Sequence, residues 1–184
     1  MWLRPRVTVR QILEAEVRPS WVPVVALAAV CAALNNVQFD PEAGGVSMSR
    51  SAMPIVMGSA RIVFGVLIGP FILAVVGGWL GGEGDPADIR QSVAWSYVPF
   101  GAAAALWVVV LLASGVQAFN PAHTPQSALE WVASIVMVAV FVCYVWSIPL
   151  LVASLAEVMR FSIFKSILTI LIPLVPLWLL EAIT

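Results

Sequence analysis

At 184 residues, with 61% hydrophobic and only 10% charged side chains and a mean hydropathy of +1.00, the chain is too apolar to cover a water-soluble globule, so its solvent is lipid. A net charge of −1 and a pI near 5.7 provide neither a basic field nor an acidic tail, which argues against nucleic-acid binding.

The chain opens on Trp2, Arg4, Arg6, Arg10 and Arg18 ahead of its first apolar run. Thr8, with Gln11 three residues later, reads as a capping box. It predicts a short interfacial helix carrying Ile12, Leu13 and Val17, with Trp2 beside it. The run that follows contains Val30-Cys31-Ala32 and reads as a retained span, since Val30 stands where a lipoprotein box needs a small residue.

About 20 apolar residues cross a bilayer core. Segments 21–37, 55–80, 93–116, 129–155 and 163–183 meet or approach that length, the first being the shortest and ending in Asn35, Asn36 and Gln38. None alternates as barrel strands do, so the expectation is an all-α polytopic membrane bundle of about five spans. No repeat or linker divides it, and residues 1–184 read as one membrane domain in which 1–20 form the interfacial segment.

Span two carries Gly58, Gly65 and Gly69, with Gly65-x-x-x-Gly69 the small-residue pattern that lets helix backbones approach closely. Arg61 shares that face and is expected to be a buried charge, with Asn35, Asn36, Asp40, Glu42 and Glu130 as candidate partners. The glycines from Gly77 to Gly84 read as a flexible helix terminus, and their acidic surroundings argue against phosphate binding. Asp85, Pro86 and Asp88 then read as N-cap, first-turn proline and first-turn acid.

Span three places Ser92, Ser96 and Pro99 on one stripe, and span four places Cys143, Ser147, Ser154 and Glu157 on another. Pro99 and Pro149 free the carbonyls of Trp95 and Val145. Ser92, Ser96, Tyr97, Ser147, Ser154 and Glu157 are therefore the candidate polar pocket, unless the serines simply bond to their own helices. Glu157 either closes that pocket or pairs with Arg160. Ser127 with Glu130 is a second capping box, Ser162 caps span five, His123 reads as a solvated loop residue, and Cys31 and Cys143 read as packing residues.

Seven of the Lys and Arg residues fall on the side of the N-terminus and two, Arg50 and Arg61, on the other, which predicts a cytoplasmic N-terminus and, with five spans, an external C-terminus in the plasma or inner membrane. With one histidine and no HExxH, CxxC, GxSxG or phosphate loop, no catalytic, cofactor or metal site is predicted and the chain reads as a non-enzyme.

The opening Trp2-Leu3-Arg4-Pro5 with Thr8 and Arg10, the Gly81-Gly82 loop leading through Arg90 to Ala94-Trp95-Ser96-Tyr97-Val98-Pro99, and Ala156-Glu157-Val158 through Phe161-Ser162 to Lys165-Ser166 resemble prokaryotic members of the Yip-one (Ypt-interacting protein) domain family along most of the chain. The resemblance implies five membrane helices, N-terminus inside and C-terminus outside. Eukaryotic relatives are associated with Rab-type GTPases through longer N-terminal regions; here about 20 residues precede span one, which argues against Rab binding. The resulting expectation is a scaffold or a partner- or lipid-binding module, with membrane lipids, a membrane-protein partner or a second copy as its partners. The alternative is a small transporter or channel using the polar pocket.

Overall fold

The computed structural model describes residues 5–15 and 19–183. In chain order they form α1 (Pro5–Glu14), α2 (Val22–Asn35), a hairpin of β1 (Phe39–Asp40) and β2 (Gly45–Val46), α3 (Met48–Leu67), α4 (Gly69–Trp79), α5 (Pro86–Ser96), α6 (Val98–Ser114) with a 3₁₀ turn Gly115–Phe119, α7 (Ala128–Val158) and α8 (Ile163–Ile183). The fold is all-α, as its composition requires. Among the described residues, Met48–Leu67, Pro86–Phe119 and Ala128–Val158 are long and apolar enough to cross a bilayer, and Val22–Asn35, Gly69–Trp79 and Ile163–Val175 are shorter apolar helices. Ile135, Val138, Phe141 and Leu112 are exposed. Such outward apolar faces are a liability in water and are solvated in lipid.

Helix boundaries follow local chemistry. Span two is helical in two segments, α3 and α4, because Pro70 has no N–H to continue the ladder beyond Ile68. Pro99 likewise separates α5 from α6 at Tyr97, whereas α7 runs through Pro149 as one helix of 31 residues. At 14 residues α2 is about 21 Å long against a hydrocarbon core of about 30 Å. Asn35 and Asn36 end it by donating their side-chain amides to the carbonyls of Cys31 and Ala32, at 2.8 and 2.7 Å.

Asp85 caps α5 through the Ala87 N–H at 2.9 Å, the Ser127–Glu130 box opens α7 with reciprocal bonds of 3.3 Å, and the Ser162 hydroxyl accepts the Lys165 N–H at 3.4 Å. The box expected at Thr8 is not a helix start: Thr8 lies inside α1, which is already helical at Pro5, the residue type that suits a first turn. Val17, expected in this helix, and Trp2, expected beside it, lie outside the described residues.

The chain groups into two compact units built from interleaved segments. One takes the chain up to Trp21, Phe64–Ser96 and the chain from Ile148 onward; the other takes Val22–Val63 and Tyr97–Ser147. Three of the switch points fall just ahead of Pro23, Pro99 and Pro149. In the first unit, α4 packs on α5 and α8 around buried Val76, Ile89, Leu155, Met159 and Thr169. The Ser166 hydroxyl donates to the Val152 carbonyl at 2.7 Å. In the second, α2 packs on the small-residue face of α6, where Leu27 lies 3.5 Å from the position a Cβ on Gly101 would take, and Cys31, Ala103, Trp107, Val140 and Cys143 form one buried cluster.

Candidate functional site

Helix α1 carries Arg6, Arg10 and Glu14 at four-residue steps, which places them on one face. Val9 faces the other way and is 4% exposed, anchoring the helix in the first unit. The end of α7 supplies Glu157 in its last turn and Arg160 just beyond. That end is a left-handed C-cap: Arg160 has φ 54°, the Phe161 N–H donates to the Ala156 carbonyl at 3.2 Å, and the Arg160 N–H to the Glu157 carbonyl at 3.3 Å. Asp88 comes from the first turn of α5.

Together these elements enclose an open cleft of about 650 Å³ lined by Arg6, Arg10, Glu14, Asp88, Glu157 and Arg160, with Leu13 and Phe161 among its apolar walls. Arg10 spans it. Its Nε donates to Glu157 Oε1 at 2.9 Å, and its Nη2 donates to the same oxygen. The Arg10 side chain is 65% exposed and that of Glu157 18%, so the pair is a latch reachable from solvent. The hydrogen bond and the charge of Glu157 push the Arg10 guanidinium above its ordinary pKa, and Glu14 adds to the effect. Oxygen Oε2 of Glu157 has no hydrogen-bond partner among the described residues.

The glycine-rich end of α4, also in the first unit, is a closely packed helix terminus. Gly81 has φ 84°, and the N–H groups of Gly82 and Gly81 close onto the carbonyls of Gly77 and Gly78 at 2.9 and 3.0 Å. The exposed Leu80 carbonyl is taken by Lys165 Nζ at 2.7 Å. Met159 fills the space beside Gly77 and Gly84, and Phe161 that beside Gly82, so this cap holds the α7 terminus in place.

The second unit has its own polar cluster. The Tyr144 hydroxyl accepts from Asn35 Nδ2 and, at 3.3 Å, from Trp107 Nε1, which leaves its proton for Cys31 Sγ at 3.1 Å. All the hydrogen-bonding capacity of this half-buried residue's hydroxyl is used. Glu130 of the capping box also faces His123 at 3.5 Å, beside a cavity of about 120 Å³ lined by Asn120 and Ser134. His123 is therefore half-buried, with its Nε2 enclosed, and not the solvated loop residue expected; the helix-capping carboxylate draws the loop inward.

Ser92, Ser96, Ser154 and Glu157 belong to the first unit, Tyr97 and Ser147 to the second. Ser96 Oγ donates to the Val93 carbonyl at 2.6 Å, Ser154 Oγ to Leu150 at 2.7 Å, and Ser147 Oγ to Tyr144 at 2.7 Å, all within their own helices. Ser92 Oγ is buried with no partner among the described residues. Tyr97 packs edge-on to Phe100 at 5.3 Å. Of the six, Glu157 lines the cleft, and its partner is Arg10, neither span three nor Arg160. Arg61, expected to be a buried charge, is exposed on this chain, and the space beside Gly58 is taken by the Asn36 side chain. Gly69 opens on empty space and Gly65 is half-buried. The role of Arg6, Arg10 and Glu14 escaped the sequence reading, although their spacing of four marked a charged helix face.

A fold in which three of the described helices are long and apolar enough to cross a bilayer defines a multi-pass membrane protein. The model of the Yip1 domain matches residues 1–182, and the chain belongs to that family. No curated protein and no solved structure matches it.

Proposed function

We propose that this chain is a non-enzymatic recognition module of the plasma or inner membrane that binds a membrane lipid at the charged cleft, its N-terminus cytoplasmic and its C-terminus outside. One observation carries the reading: in a chain with only 10% charged residues, six charged side chains from three distant segments line one cleft next to an amphipathic helix. The count of basic residues, seven against two, supports the orientation.

Thermal unfolding of the detergent-purified full chain, screened against phospholipids, ions and metabolites, tests this. A ligand selective for the folded state raises its stability by RT ln(1 + [L]/Kd). A phospholipid should raise the midpoint for the wild type and have less effect on a variant combining Arg10→Gln and Glu157→Gln. A protein partner instead of lipid would appear as co-purification lost in the same variant, with no lipid response.

A second reading, a small transporter, rests on Ser92 Oγ and Trp95 Nε1, both buried on α5 without a partner among the described residues. Ion flux through proteoliposomes that falls in Ser92→Ala would replace the first reading with this one.

A further inference from the structure

The cleft carries both signs of charge, and that restricts its occupant. A simple anion drawn to Arg6, Arg10 and Arg160 would face Glu14, Asp88 and Glu157; a simple cation would face the reverse. Arg10 and Glu157 already neutralise one another. Arg6 and Arg160 have no ion pair among the described residues, and on the acidic side Glu14 and the Oε2 oxygen of Glu157 remain. A ligand with one phosphate and one hydrogen-bonding ammonium satisfies both sets at once, and each contact is charge-assisted.

Two further observations point the same way. Arg160 holds a left-handed backbone that glycine would adopt without strain, so this cap keeps a charged side chain at the cleft where a bare turn would suffice structurally. The cleft also lies where α7, long and apolar enough to cross a bilayer, ends against the amphipathic helix α1, and helices of that kind lie in the headgroup region. Phe161 is the one aromatic among the lining residues, so no aromatic cage for a quaternary ammonium is present there.

We propose that the cleft binds the phosphoethanolamine headgroup of a phospholipid, with Arg6 and Arg160 on the phosphodiester and Glu14 and Glu157 on the primary ammonium. This rests on the reading of the cleft as a lipid site.

The test titrates delipidated full-length protein with short-chain phospholipids bearing ethanolamine, choline or glycerol headgroups, and with free phosphoethanolamine. The ethanolamine lipid should bind about tenfold more tightly than the other two, the worth of one charge-assisted hydrogen bond. Glu14→Gln should bring it to the level of the choline lipid. Arg6→Gln and Arg160→Gly should each weaken all three lipids about fivefold or more, and the second is compatible with the left-handed cap, so its loss cannot be ascribed to misfolding. Equal affinity for the three lipids, still lost in the arginine variants, overturns the headgroup assignment and leaves the lipid site standing. Free phosphoethanolamine binding as tightly as the lipid overturns the membrane source. Lipid binding indifferent to these three substitutions overturns this proposal, and lipid binding unchanged in the variant combining Arg10→Gln and Glu157→Gln as well overturns the lipid reading.

Discussion

Arg160 and Tyr144 are individual residues whose surroundings make opposite demands. A left-handed backbone disfavours an L side chain by roughly 1–2 kcal/mol, and glycine returns part of that as lost unfolded-state restriction. Arg160→Gly should therefore stabilise the fold by about 0.5 kcal/mol while weakening the cleft. Thermal unfolding in detergent checks it, and a clear loss of stability would show that the arginine side chain supports the cap. Tyr144→Phe removes the acceptor for Asn35 and Trp107 and the donor to Cys31. Because Asn35 keeps its bond to the Cys31 carbonyl, the expected loss is modest, about 1 kcal/mol by the same measurement.

Among the elements, the ends of α4 and α7 form a mutual clamp. Each helix stops in a left-handed cap, and the side chains after α7 fill the space the glycines of α4 leave open. Met159 is the central piece: it is 1% exposed, touches Gly77 and Gly84, and its carbonyl accepts the Glu83 N–H at 3.3 Å. Met159→Ala should cost about 2–4 kcal/mol through the cavity it leaves. A Cβ at Gly77 would overlap the Met159 methyl and already touch Thr169, leaving no room for a longer side chain, so Gly77→Leu should reduce folded yield further. Size-exclusion profiles and unfolding midpoints measure both, and a wild-type midpoint for Met159→Ala would mean the clamp closes without that side chain. Since the clamp holds the α7 terminus, Met159→Ala should also weaken whatever occupies the cleft.

For the whole molecule, the distribution of basic residues predicts that alkaline phosphatase fused after Thr184 is active and a green fluorescent fusion there is dark. The opposite pattern would mean an even number of spans. The first segment to doubt is then α2, whose 14 residues fall short of the bilayer core.

Lipid as solvent, helices as the only spanning elements, and the helix starts at Asp85, Ser127 and Ser162 were legible in the chain itself. Each depends on composition or on residues within one turn of each other, and such signals survive without knowledge of the fold. Thr8 shows the limit of that reasoning, since the same box pattern lies inside α1. The charged cleft was only half legible. Its α1 face repeats every four residues, yet the partner of Arg10 is 147 residues away, and nothing in local spacing distinguished Arg10 from Arg160 as the companion of Glu157. The same holds for Lys165 on the Leu80 carbonyl, 85 residues apart, and for Asn35 on Tyr144, 109 apart. Local chemistry determined where helices begin and what surrounds them; which side chains meet was decided by tertiary packing, because pairing depends on distances that only the closed chain sets.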